Sequence, residues 1–171
     1  MALELNVSFK TDVKIKTIQE LESDIVALRR FSNSKIVLTS GVFDLVHPGH
    51  IDYFNVAKSY GDILVVSIVD DKFVRKGPSR PIFNQELRLK WLAALEVVNY
   101  MVLNGDYGPW KVMKAIKPDV YVKGYNPTPG LKKDIALMSS LGGKTIIIPE
   151  IMHSTKIFEA INNLSDRKGK D

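Results

Sequence analysis

Lys35-Ile36-Val37-Leu38-Thr39-Ser40-Gly41-Val42-Phe43-Asp44-Leu45-Val46-His47-Pro48-Gly49-His50 is the stretch that decides the fold. Its apolar opening predicts a strand over 36–39. Gly41 marks the way out of that strand, and an amphipathic helix over 49–59 follows. A strand, a glycine-marked turn and a helix N-terminus in that order make an anion site before any side chain is considered. The unbonded N–H groups of the first helical turn and the positive end of the helix dipole face the same way. His47 and His50 are three apart, so a helical first turn puts them on one face. Gly49 lets backbone or ligand approach closely.

Outward from this stretch, short apolar runs alternate with amphipathic segments. Strands are expected at 36–39, 63–69, 100–103, 120–122 and 145–148. Helices are expected at 15–30, 49–59, 84–95, 107–115, 131–140 and 154–163. In the first of these helices Ile18, Leu21, Ile25 and Leu28 recur at helical spacing. Continuous Val/Ile runs bounded by helices indicate a parallel sheet covered on both faces. The expected fold class is therefore α/β, a doubly wound, Rossmann-like parallel sheet of five strands flanked by helices. Its ligands would lie at the C-terminal strand ends near the switch point. No internal repeat or composition shift marks a second domain. The expectation is a single domain over 1–171: an N-terminal extension and helix over 1–34, a core over 35–163 and a polar tail over 164–171. Residues 1–14 lack clear periodicity and are expected to be loosely attached, and the tail is expected to fray.

A chain of 171 residues with 45% apolar content suits one domain with a full core. No apolar run approaches a membrane span. Met1-Ala2-Leu3-Glu4 lacks the basic-then-apolar order of a secretory signal. The absence of cysteine excludes disulfides and thiolate metal sites and fits a cytoplasmic protein. The net charge of +5 fits polyanionic substrates such as nucleoside triphosphates and sugar phosphates, and would also fit weak nucleic-acid affinity.

Attack on the α-phosphate of a nucleotide with loss of pyrophosphate needs no protein nucleophile. It needs in-line positioning and positive charge where negative charge grows on the phosphate oxygens. Two imidazoles at a helix N-terminus, with lysines from another loop, supply that. Each preorganised donor is typically worth roughly 10²–10³ in rate.

His47-Pro48-Gly49-His50 resembles the HxGH signature of the nucleotidylyltransferase superfamily, and Gly41-Val42-Phe43-Asp44 its strand-end G-x-F-D. The resemblance continues through Gly61-Asp62-Ile63-Leu64-Val65-Val66, Lys76-Gly77-Pro78-Ser79-Arg80-Pro81 and Glu86-Leu87-Arg88. It extends to Pro118-Asp119-Val120-Tyr121-Val122-Lys123-Gly124 and Ser154-Thr155-Lys156-Ile157. Within the superfamily the chain is most similar to the heptose 1-phosphate adenylyltransferase domains of ADP-heptose synthesis. The glycerol-3-phosphate cytidylyltransferases are more distant. Tyr125-Asn126-Pro127 differs from the Gly-Asp-Tyr of the heptose enzymes, and Ser40 stands where they carry asparagine. HxGH also occurs in aminoacyl-tRNA synthetases, but no K-M-S-K-S loop accompanies it here.

Residue by residue, the resemblance implies that His47 and His50 stabilise transition-state charge and that Lys76 holds the β/γ-phosphates. It implies a nucleotide site at Gly41, Val42, Phe43, Gly49, His50, Arg88, Lys123, Gly124, Met152, Ser154 and Thr155. Asp44, Lys76 and Arg80 fall on the acceptor side. From the residues alone the bland alternatives stay open. The histidines could be a metal pair or simple helix caps, Asp44 a local cap that orients the loop, and Ser154 an ordinary N-cap. Arg88 near a helix start opposes the dipole, so it calls for a phosphate or carboxylate partner. The expected activity is adenylyl transfer from ATP to a sugar 1-phosphate, with Mg²⁺ carried by the nucleotide rather than by the protein alone. CTP-dependent transfer to a phosphorylated sugar or polyol, and a non-catalytic nucleotide-binding module, are the alternatives. No nucleic acid or membrane partner is expected. A homodimer is expected, because Leu89, Trp91, Leu92 and Leu95 offer more apolar surface than one helix face needs.

Overall fold

A computed structural model of the chain describes residues 10–124 and 129–149. Its elements in chain order are α1 (Lys10–Lys14), β1 (Ile15–Lys16), α2 (Ile18–Ser32), β2 (Ile36–Gly41), α3 (Pro48–Lys58), β3 (Ile63–Ile68), α4 (Gln85–Ala93), β4 (Tyr100–Leu103), α5 (Trp110–Ile116), β5 (Val120–Gly124), α6 (Pro129–Ser140) and β6 (Lys144–Ile148). A 3₁₀ turn, Asp71–Phe73, follows β3. The six strands form one sheet in the order β1-β4-β3-β2-β5-β6, and every neighbouring pair is parallel.

The chain winds from β2 to β3 to β4 in one direction and from β5 to β6 in the other. The switch point therefore lies between β2 and β5, at the end of β2 that leads into the Gly41–His50 segment. Residues 36–40 and 64–68 are buried without interruption, as a parallel sheet covered on both faces requires. One face packs Val37, Val66, Val120 and Val122 against Phe54 and Ala57 of α3 and Leu92 and Ala93 of α4. The other packs Leu38, Val65 and Tyr121 against Leu21 and Ile25 of α2, Val112 and Met113 of α5 and Met138 of α6.

Four expectations need correction. The sheet has six strands, not five, because Ile15 and Lys16 pair with Met101 and Val102 at its edge. Residues 10–14 are not loosely attached: they form a helix, and the Lys14 ammonium donates to the Leu95 carbonyl at 2.9 Å. The helix expected from residue 15 begins at Ile18, where Thr17 closes a capping box with Glu20. The helix expected from Tyr107 begins at Trp110. The expected helix over 154–163 and the tail lie outside the described residues. Among the described residues no helix is long and apolar enough to cross a membrane.

Candidate active site at the carboxyl ends of the strands

The strand-to-helix turn is shaped by Phe43. Its backbone is in the left-handed region, at φ 48°, and its ring folds back beneath the turn. That ring lies 5.1 Å from Phe54 and 5.5 Å from His50, centroid to centroid. A Cβ at Gly41 would meet the Phe43 ring at 2.8 Å, so glycine is required there by the returning aromatic. His47 then occupies the N-cap of α3 in extended conformation, and Pro48 begins the helix where a missing N–H is harmless.

His47 is buried and His50 half-buried, with ring centroids 3.9 Å apart. The His47 backbone N–H donates to His50 Nδ1 at 3.3 Å. That bond assigns the neutral imidazole its tautomer. Nδ1 is the acceptor, so the proton sits on Nε2 as a donor.

Asp44 and Arg88 build the floor. Asp44, its side chain fully buried, accepts from Ile82 N–H at 2.7 Å and Phe83 N–H at 3.1 Å, and its other oxygen pairs with Arg80 Nε. The Arg80 side chain is only 5% exposed. Arg88, 1% exposed, donates to the carbonyls of Val42 at 2.6 Å, Val69 at 2.8 Å and Phe83 at 3.1 Å, and to the Asp71 carboxylate at 2.5 Å. One guanidinium thus ties the β2–α3 turn to the segments before and after the 69–83 loop. Of the two partners expected for Arg88, the structure supplies the carboxylate.

Lys76 lies on this loop. Partial enclosure of its ammonium, with the positive charges of Arg80 and Arg88, holds its pKa below the usual 10.5, and Asp44 opposes the shift.

On the other side of the switch point stands β5. Lys123 Nζ is 3.6 Å from the buried Asp134 carboxylate, which also accepts from Trp110 Nε1 at 2.8 Å and the Tyr121 hydroxyl at 3.3 Å. Burial, with Asp134 adding, pushes the Tyr121 phenol well above its usual pKa. A Cβ at Gly124 would meet nothing closer than the Tyr53 ring at 3.9 Å, an ordinary contact. Among the described residues, none crowds that strand end. Tyr53 itself donates its hydroxyl to the Val122 carbonyl at 3.0 Å, so the 2.6 Å contact with Thr39 is donated by Thr39. The phenol pins α3 across both strands of the switch point, and burial pushes its pKa up to about 12.

The structure therefore brings His47, His50, Phe43 and Gly41 together, and Asp44, Arg80, Arg88 and Lys76 together. Lys123 and Gly124 stand at the end of β5, the strand beside β2. Met152, Ser154 and Thr155 lie outside the described residues. Tyr53, Asp71 and Asp134 were not singled out from the sequence. Each is an ordinary polar or aromatic residue of a helix or turn, and its partner lies far along the chain.

Residues 38–160 match the cytidylyltransferase-like family model. The chain belongs to that family and is a nucleotidyltransferase domain. The bifunctional protein HldE of Desulfatibacillum aliphaticivorans is 37% identical to it over 154 residues, 88% of this chain and 31% of that protein. HldE of Aliarcobacter butzleri is 45% identical over 112 residues, 64% of this chain and 23% of that protein. The chain thus spans about a third or less of the length of these curated relatives. Among solved structures, a lipopolysaccharide core biosynthesis protein from Thermoplasma volcanium superposes with a TM-score of 0.59 at 30% identity, covering 71% of this chain and 99% of that one. Pantoate-beta-alanine ligase from Francisella tularensis, at 18% identity and a TM-score of 0.56, shares the fold.

Proposed function

We propose that this chain transfers the adenylyl group of ATP to the phosphate of a sugar 1-phosphate of the heptose type, releasing pyrophosphate. The observation that carries the reading is the His47–His50 pair at the N-terminus of α3, held where a β2 strand end meets the switch point. An oxygen of the sugar phosphate attacks the α-phosphorus. A new P–O bond forms, the bond from the α-phosphorus to the bridging oxygen breaks, and pyrophosphate carries away the electron pair.

The chain's own groups do the positioning. His50 Nε2–H donates to an oxygen of the reacting phosphate, and the positive end of the α3 dipole adds to it. Lys76 places its charge on the β/γ-phosphates. Asp44 and Arg88 touch no substrate in this account: they fix the loop that carries Lys76. Lys123 and Gly124 receive the nucleotide on the β5 side, and the family resemblance adds Met152, Ser154 and Thr155 to the nucleotide contacts. Among the described residues no group of three His, Cys, Asp or Glu side chains is placed to hold a metal ion. Mg²⁺ bound to the triphosphate supplies charge neutralisation on its oxygens.

ATP is favoured over CTP by the similarity to the heptose adenylyltransferases and to proteins named HldE. Calorimetric titration with each nucleotide in Mg²⁺ tests it. ATP should bind more tightly, and CTP binding tenfold or more tighter would move the assignment to cytidylyl transfer.

A further inference from the structure

The loops that follow β3 and β4 meet on the same rim as the histidine pair, on the side of β2 away from β5. Their contact is aromatic. Phe73 and Tyr107 lie 4.6 Å apart, centroid to centroid, at an interplanar angle of 53°. The Arg75 guanidinium sits 4.5 Å from the centre of the Tyr107 ring, and the Lys72 ammonium 5.1 Å from that of Phe73. Tyr107 nevertheless remains 54% exposed.

This cluster is anchored at both ends. Phe73 closes the 3₁₀ turn whose Asp71 is gripped by Arg88. The Tyr107 N–H donates to the Asp106 carboxylate at 2.8 Å, and Asp106 N–H donates to the buried Asn104 at 3.2 Å. The Asn104 N–H in turn continues the β3–β4 ladder to the Ile68 carbonyl at 3.0 Å. The next residue after Arg75 is Lys76, beside Arg80. An exposed aromatic with an arginine laid on it thus stands beside the basic loop that carries Lys76.

We infer that Tyr107, backed by Phe73 and Arg75, is the platform for the ring of a cyclic sugar phosphate acceptor, and so a specificity-determining residue. The inference rests on the transfer reaction proposed above. The acceptor's phosphate must reach the α-phosphorus, so its carbon skeleton extends away from the histidines over a neighbouring surface. The β5 side is given to the nucleotide. The β3–β4 side offers what a sugar ring takes: an aromatic body, a phenolic hydroxyl and a guanidinium laid on the ring.

Tyr107→Ala and Tyr107→Phe are compared with wild-type protein, using heptose 1-phosphate as probe. Pyrophosphate release gives the KM for each substrate. Calorimetry gives direct binding of heptose 1-phosphate to protein saturated with a non-hydrolysable ATP analogue and Mg²⁺. Tyr107→Ala should raise the KM for heptose 1-phosphate by about tenfold, while Tyr107→Phe, which keeps the ring, stays within about threefold. The KM for ATP should move by less than about twofold in both. An unchanged acceptor KM in Tyr107→Ala, or an equal rise for ATP, would overturn the platform and leave the transfer reaction standing. Binding of heptose 1-phosphate that Tyr107→Ala abolishes, without turnover in wild type, would uphold the platform and overturn the reaction. Wild-type protein that binds no heptose 1-phosphate in calorimetry would overturn the platform.

Discussion

The backbone N–H of His47 donates to Nδ1 of His50 at 3.3 Å, across two rings whose centroids are 3.9 Å apart. The first histidine of the motif therefore aims the second. By occupying Nδ1 it leaves Nε2–H as the donor, and the helix that begins between the two residues supplies the positive end of its dipole at the same place.

Loss of that donor should show in turnover rather than in binding. His50→Ala is expected to lower kcat by about two to three decades while nucleotide affinity stays within several-fold. Steady-state pyrophosphate release with parallel calorimetry checks both numbers. Near-wild-type turnover would remove His50 from the chemistry.

Asp44 is expected to act through Arg80 and the loop. Its carboxylate is fully enclosed and faces a guanidinium that is only 5% exposed. Asp44→Asn keeps the shape but removes the charge, and breaking a buried pair typically costs about 3–5 kcal/mol. Denaturant unfolding should show a loss on that scale. The variant's KM for the triphosphate should rise along with it, because Lys76 rides on the same loop. A fully stable Asp44→Asn protein would show that Arg80 is held elsewhere.

Lys76 gives a pH dependence whose sign is fixed. Its ammonium is held below the usual 10.5 by enclosure and by Arg80 and Arg88, and the triphosphate needs it charged. Triphosphate affinity should be full below the lowered pKa and fall as pH rises through it, earlier than for an ordinary lysine. Lys76→Arg keeps its charge throughout and should remove this alkaline loss. The measurement is KM for ATP between pH 7 and 10 in both proteins. Superimposable profiles would show that another group is titrating.

Helix α4 carries the assembly prediction. Leu92 is buried and Leu89 and Leu95 pack against the core, but Leu87 and Trp91 stay about half exposed one turn apart. A homodimer that covers this pair is expected, and light scattering at micromolar concentration should give twice 19.2 kDa. A monomer mass would contradict it.

Much of the fold was legible because it rests on local pattern. The Val/Ile runs of β2 and β3 announce a doubly covered sheet, and Gly41 through His50 announce the turn and the helix after it. The sixth strand was not legible. Two residues, Ile15 and Lys16, carry no periodicity, and only their pairing with Met101 and Val102 makes them a strand. The site divides in the same way. The histidine pair follows from spacing of three. The duties of Arg88 follow from carbonyls of Val42, Val69 and Phe83 that converge only in the folded chain. Asp134 reads as one more polar residue of an amphipathic helix until Trp110, Tyr121 and Lys123 close around it. Gly41 was legible as a turn, but its physical cause, the returning ring of Phe43, was not.

The most direct test of the account is pyrophosphate release by wild-type protein with Mg²⁺ and ATP or CTP, each paired with heptose 1-phosphate or glycerol 3-phosphate. Release should depend on both substrates and be fastest with ATP and heptose 1-phosphate, with one ADP-linked sugar formed per pyrophosphate. No pyrophosphate from any pairing would contradict it.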